Sequence, residues 1–230
     1  MTLEEAVYAR HSVRSYTGEA LAKGAAFALE EEIEKCNKEG DLSMRLVQNE
    51  PKAFKSFLAK YGKFSGVTSY IVLAGEQAKD LRERAGYYGE RLVLLAQTLG
   101  LNTCWAALTF GKGAVKKSAG LKKGEKLACV IAVGYGKTQG AAHKSKTFDD
   151  VAVAKDAPEW FRKGVEFALL APTATNQQKF RFTLVGNKVL AECTGGFYGD
   201  IDLGIVKYHF ELGAGTENID TEFVRKYGRE

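Results

Sequence analysis

Ala171-Pro172-Thr173-Ala174-Thr175-Asn176-Gln177-Gln178 is the stretch on which the reading of this chain turns. It follows an amphipathic helical pattern, Trp160 to Leu170, and precedes an alternating strand pattern, Phe180 to Val185. Small and hydroxyl residues let a backbone approach a flat ligand closely. Asn176, Gln177 and Gln178 set three carboxamides side by side, each with donors and an acceptor that can read the edge of a heterocycle. The alternative is a polar helix-to-strand turn with no ligand, and the loop alone does not choose between them.

A second element bears on that choice. Arg10-His11-Ser12-Val13-Arg14 follows Leu3 to Ala9, a short helical pattern with Leu3, Ala6 and Val7 on one face. Arg carries a rigid donor fork suited to phosphate oxygens, and Ser12 adds a neutral donor. Two guanidiniums four residues apart are otherwise an ordinary solvated surface.

Taken together, Arg10, Ser12 and Arg14 with Pro172, Thr173, Asn176 and Gln178 resemble the nitroreductase family of FMN-dependent oxidoreductases. That family has an Arg-x-Ser-x-Arg or Lys phosphate motif and a Pro-Ser-x-x-Asn-x-Gln-Pro-Trp loop. Two features depart from it. Lys179-Phe180 replaces Pro-Trp, and the loop lies about 160 residues after the Arg motif instead of a few dozen. The segment from Glu30 to Glu50 contains nothing like it.

The resemblance extends to two more stretches. Gly100-Leu101-Asn102-Thr103-Cys104-Trp105-Ala106 is similar to the family's Gly-Leu-x-Thr-Cys-Trp run after the long central helix, which implies that Thr103, Trp105 and Ala106 lie near the flavin. A buried strand with Trp105 in the core is the competing reading. Lys144 and Lys146 match a basic pair that reaches the FMN phosphate in the family; two residues apart, they share a face of an extended segment. The full set that the resemblance implies is Arg10, His11, Ser12, Arg14, Thr103, Trp105, Ala106, Lys144, Lys146, Pro172, Thr173, Ala174, Asn176 and Gln178.

An internal similarity accompanies the unusual motif order. Ala85-Gly86-Tyr87-Tyr88-Gly89-Glu90 and Gly195-Gly196-Phe197-Tyr198-Gly199-Asp200 both follow a strand pattern and precede a helical one. Each half thus reads helix, strand, Gly-aromatic turn, helix. Family members are typically homodimers with FMN at the subunit interface. The resemblance here implies an α+β, nitroreductase-like fold: a central, mostly antiparallel sheet flanked by helices, its two related halves packed as a pseudo-dimer. Residues 1–150 would carry the phosphate motif and residues 151–230 the flavin-ring loop. A monomer is the expectation, with a homodimer left open.

Composition bounds the alternatives. At 230 residues and 45% hydrophobic, the chain can bury a core of one large domain or two tightly packed halves. Its net charge of +5 is dispersed, and Lys116-Lys117 and Lys122-Lys123 do not interleave with aromatics as a nucleic-acid surface would. Cys36, Cys104, Cys129 and Cys193 form no C-x-x-C pair and have no His at ligand spacing, so no metal site is expected. No apolar run approaches the roughly 20 residues that span a bilayer, and MTLEEAVYAR is too polar for a signal peptide. The expectation is a cytoplasmic protein without membrane or nucleic-acid partners.

Periodicity predicts helices over Leu21–Lys38, Pro51–Tyr61, Leu81–Leu99 and Trp160–Leu170, and a helix containing Val206–Gly213 packed on its first-half counterpart. It predicts strands over Ser43–Val47, Gly66–Leu73, Leu127–Gly134 and Phe180–Val185, and leaves Leu101–Ala107 open between a buried strand and the run beside the flavin. His11, His143 and His209 are far apart, and neither a Gly-x-Ser-x-Gly elbow nor a Gly-x-Gly-x-x-Gly run occurs. No catalytic side chain is therefore expected. The implied chemistry is ping-pong hydride transfer from NAD(P)H to FMN and on to a nitro compound, quinone or similar acceptor. The alternatives are a flavin-binding or redox-sensing protein without efficient turnover, and a degenerate fold that binds no flavin.

Overall fold

The computed structural model describes residues 1–219, so the expected second half, 151–230, runs past the described part. The chain divides into two compact units. One comprises Met1–Leu81 and Leu92–Ala142; the other comprises Arg82–Arg91 and the chain from His143 onward.

The first unit opens with α1 (Leu3–Ala9), whose start is fixed by a capping box. The Thr2 hydroxyl accepts from Glu5 N at 3.1 Å and the Glu5 carboxylate accepts from Thr2 N at 2.8 Å, an arrangement worth about 1 kcal/mol. Then follow α2 (Lys23–Gly40), β1 (Arg45–Val47), α3 (Phe57–Tyr61), β2 (Ser69–Glu76), α4 (Leu81–Thr98), β3 (Asn102–Ala106), α5 (Lys112–Ser118) and β4 (Glu125–Gly134). The sheet order is β1-β2-β4-β3, and every pairing is antiparallel, with Ile71 opposite Ile131. Tyr70 to Ala74 and Cys129 to Val133 are buried, which is why these strands read as continuous apolar runs.

Pro51–Tyr61 is not one helix. A 3-10 turn at Lys52–Phe54 precedes α3, because Ser56 takes extended dihedrals and its hydroxyl caps Ala59 N at 3.2 Å.

The second unit contains the Arg82–Arg91 part of α4, then α6 (Phe148–Val151), β5 (Ala152–Val153), α7 (Glu159–Leu170), β6 (Phe180–Val185), β7 (Lys188–Cys193) and α8 (Gly199–Ala214). Its sheet runs β5-β6-β7, with β5 parallel and β7 antiparallel to β6. Phe210 of α8 stacks on Phe182 at 4.4 Å between ring centres and meets Phe161 edge-on at 5.5 Å. Such pairs add about 0.5–1.5 kcal/mol beyond burial. Where α8 crosses α4, glycines make the approach: a Cβ on Gly86 would strike Ile201 O, and one on Gly204 would strike Glu83 O.

The repeated Gly-aromatic letters stand for different backbone. Ala85–Glu90 is interior helix in α4, whereas Gly195–Tyr198 is a turn before α8, with Gly195, Gly196 and Tyr198 all at positive φ. In the first copy, glycine serves helix contact; in the second, it serves the turn. No helix of the described residues is long and apolar enough to cross a membrane.

Candidate functional site

The sequence-predicted residues gather into two groups, one in each unit. The first is built on the segment from Arg10 to Thr17. Arg10 ends α1 with extended dihedrals, and Ser12 then forms a parallel bridge with Thr103 of β3. Val13 N donates to Thr103 O at 3.0 Å, and Tyr16 N donates to Ser65 O at 2.9 Å. Arg10, Val13 and Tyr16 are buried, Ser12 is half-buried and Arg14 is exposed.

The side chains of Arg10, Ser12 and Arg14 converge on Cys104. Burial pushes its thiol pKa up, while the Arg14 guanidinium, the Ser12 hydroxyl that hydrogen-bonds it, and the Arg10 guanidinium pull it down. The two arginines differ: Arg10 is only 3% exposed, whereas Arg14 faces solvent. His11 is half-buried. Thr103 and Ala106 are buried in β3, and Trp105 is half-buried opposite Ile131, so it is not a core residue.

Asn102, not singled out from the sequence, locks this group. Its Oδ1 accepts from Gly136 N at 2.9 Å and its Nδ2 donates to Gln139 Oε1 at 2.9 Å. The segment so held passes beneath residues 11–13; a Cβ on Gly140, at φ 77°, would meet His11 Cβ at 2.7 Å. A polar residue opening a buried strand was the available signal.

The second group centres on Gln178, which is 3% exposed. Its N–H donates to Thr173 Oγ1 at 3.0 Å, and its Nε2 donates to Lys144 O and Asn176 Oδ1, each at 2.9 Å. Its Oε1 accepts from Lys146 N and its carbonyl from Lys146 Nζ, both at 2.8 Å. Asn176 Nδ2 also donates to Lys144 O at 2.9 Å. The structure therefore brings Lys144, Lys146, Thr173, Asn176 and Gln178 together. It also adds two features to the sequence reading. The carboxamides bind protein groups, so the loop is self-supporting before any ligand arrives. The two lysines, both exposed, differ in that the Lys146 ammonium donates to Gln178 O.

Pro172 is buried and Ala174 half-buried. Thr175, Asn176 and Gln178 have φ of 52°, 56° and 46°, a left-handed region that non-glycine residues seldom occupy. Phe180, at the site of the departure from Pro-Trp, opens β6 as a core residue against Phe182 at 5.6 Å.

Beneath the loop lies α8. Both Asp202 carboxylate oxygens accept from Ala174 N, at 3.0 and 3.1 Å, and Oδ2 accepts from Gln177 Nε2 at 2.7 Å. His209, fully buried, faces Phe167 O at 3.1 Å and Glu90 Oε1 at 2.9 Å, tying α8 to α7 and α4. Neither Asp202 nor His209 carried a sequence motif, because each works through groups distant along the chain.

Comparison with known proteins matches the family model described as "Putative TM nitroreductase" over residues 2–214. A "putative nitroreductase" from Thermotoga maritima MSB8 has a similar structure, with TM-score 0.65, 23% identity, and coverage of 94% of this chain and 85% of that one. A nitroreductase-like protein from Streptococcus mutans aligns with TM-score 0.56 and 14% identity over 66% of this chain and 97% of its own. A nitroreductase family protein from Streptococcus pneumoniae TIGR4 gives 0.53 and 14%, over 67% and 100%. The curated proteins contain no match.

Proposed function

This chain belongs to the nitroreductase family, and from that premise we propose that it is an FMN-dependent oxidoreductase moving electrons from NAD(P)H to a nitro compound, quinone or similar small acceptor. The observation that carries the reading is the convergence of Arg10, Ser12 and Arg14 beside Cys104 on the edge of β3. Two guanidiniums and a hydroxyl form a donor set matched to a phosphate monoester, each charge-assisted bond contributing about 1.5–3 kcal/mol. Arg14, being exposed, is the arginine that meets the phosphate; buried Arg10 adds its charge from within.

FMN, when bound, supplies hydride acceptance and onward electron transfer. The residues 172–178 shape a rigid rim for the ring, and Asn176, exposed at its tip, is the side chain placed to meet the polar pyrimidine edge. Trp105 and the exposed Leu108 that follows β3 bound the space where nicotinamide and acceptor take turns. No side-chain acid or base is required. The four unbridged cysteines suit a reducing cytoplasm.

Anaerobic mixing with NADH or NADPH tests the activity. Bound flavin should lose its visible absorbance rapidly and regain it when a quinone or nitroaromatic is added. Flavin that stays oxidised would reject turnover in favour of a flavin-binding or sensing role.

A further inference from the structure

The loop after α7 holds a conformation that its residues would not adopt unaided. Thr175, Asn176 and Gln178 all have positive φ, and Thr175 is β-branched, the residue type least suited to that region. Strain of this kind persists only where the surroundings over-determine it. Gln178 fixes the far end of the loop through Thr173, Lys144 and Lys146. The near end, Ala174 and Gln177, rests on one side chain from another element, Asp202 in the first turn of α8.

Asp202 is 4% exposed. Its two oxygens take the Ala174 N–H and one Gln177 amide hydrogen, and the other Gln177 hydrogen goes to Phe197 O at 2.9 Å. Gln177 is thus oriented by two acceptors and cannot flip without losing both bonds. Every partner of the carboxyl is a donor. Protonation removes one of the two acceptor oxygens and turns the remaining charge-assisted bonds into weaker neutral ones.

We propose that Asp202 is the positioning residue of the flavin loop: its ionised carboxylate holds Ala174 and Gln177, and through them the strained Thr175–Gln178 rim, in the form that binds the ring, and protonation releases that rim. The inference rests on the flavin reading above.

Among the described residues, few groups lie about Asp202. The loop offers the Ala174 N–H and the Gln177 amide. The preceding turn offers Tyr198, whose ring lies under Arg82 of α4 at 5.8 Å. On the helices, Asp200 precedes it in α8, while Lys207 of α8 is bonded to Glu83 of α4. Burial lifts the Asp202 carboxyl to about 6, against the opposing pull of the Gln177 and Ala174 hydrogen bonds. In the released rim the carboxyl stays buried in α8 but loses those two bonds, which raises its proton affinity further, so proton uptake favours release and the change of state falls between about pH 5 and 7.

The test uses the full chain, wild type and Asp202→Asn, titrated with FMN by fluorescence between pH 5 and 8. Amide hydrogen exchange of residues 173–178 is followed without flavin at matched pH. The FMN phosphate itself takes up a proton near pH 6, so the slope shared by both proteins belongs to it and the difference belongs to Asp202. The expected result is about tenfold weaker FMN binding by Asp202→Asn at pH 7.5, a shallower pH profile, and faster exchange in the loop with unchanged exchange in β6. Equal affinity, slope and loop exchange would overturn the proposal. If wild type binds no FMN at any pH, the flavin reading fails and the exchange arm alone judges the anchor. If Asp202→Asn does not fold, wild-type loop exchange, corrected for intrinsic rate, decides: opening as pH falls through 6 supports the anchor, and protection unchanged from pH 8 to 5 overturns it.

Discussion

Arg10 and Arg14 show how far single residues can be read before a structure exists. Their types and spacing pointed to a phosphate, and the structure adds that the segment between them runs beside Thr103. Their unequal exposure did not show in the spacing, because it depends on where β3 runs. It sharpens a prediction. Arg14→Ala should weaken FMN binding by about tenfold or more, the cost of one charge-assisted bond, and leave riboflavin binding nearly unchanged, as isothermal titration with both ligands would read. Equal losses would move Arg14 away from the phosphate. The carboxamides carry the opposite lesson. Asn176, Gln177 and Gln178 stood out by type alone, and which protein groups they bind, Lys144, Phe197 and Asp202 among them, did not show in the sequence. Asp202 adds a pH signature. Burial raises its folded pKa to about 6, above the unfolded value near 4. Native protein therefore binds the extra proton, and this group makes stability fall as pH rises from about 4 to 6, by about 3 kcal/mol in all. Denaturant unfolding of Asp202→Asn should lack that component, retaining relatively more stability at pH 7 than at pH 4 when compared with wild type.

At the level of elements, strong periodicity was legible and local competition was not. The pattern of Leu81–Leu99 corresponds to α4 at Leu81–Thr98, and Phe180–Val185 is β6. The missed strand β7 had its signal in Gly186-Asn187, a two-residue turn that sets Val185 opposite Lys188. The interrupted Pro51–Tyr61 helix turned on one hydroxyl at Ser56. Asn102 is the clearest case of an element fixed by a distant partner, since its side chain holds the backbone of residues 136–139 against the strand that carries Thr103. Asn102→Ala leaves the half-buried Gly136 N–H without its acceptor and should cost about 1 kcal/mol or more. Urea unfolding would read that loss, and FMN affinity should fall with it because residues 11–13 rest on the same segment. A loss within experimental error would show that the segment is held by its backbone alone.

Across the whole molecule, the fold class was legible because two short motifs and one long apolar helix agreed with each other. The sheet order β1-β2-β4-β3 is antiparallel and helix-flanked, as the resemblance implied. The internal repeat was a weaker guide, since matching letters at Gly86 and Gly196 serve helix contact in one place and a turn in the other. The unusual order of the motifs puts Arg14 and Asn176 on separate units, and for the assembly we propose a monomer with one flavin per chain. Its central claim is that this chain holds FMN, and one measurement reaches it most directly. The purified protein is sized by light scattering, its flavin is released and identified, and the ratio to protein is determined. The account predicts FMN, one tightly held molecule per chain, on a monomer. FAD in its place, two flavins per chain, or no flavin retained or rebound at micromolar concentration would contradict it.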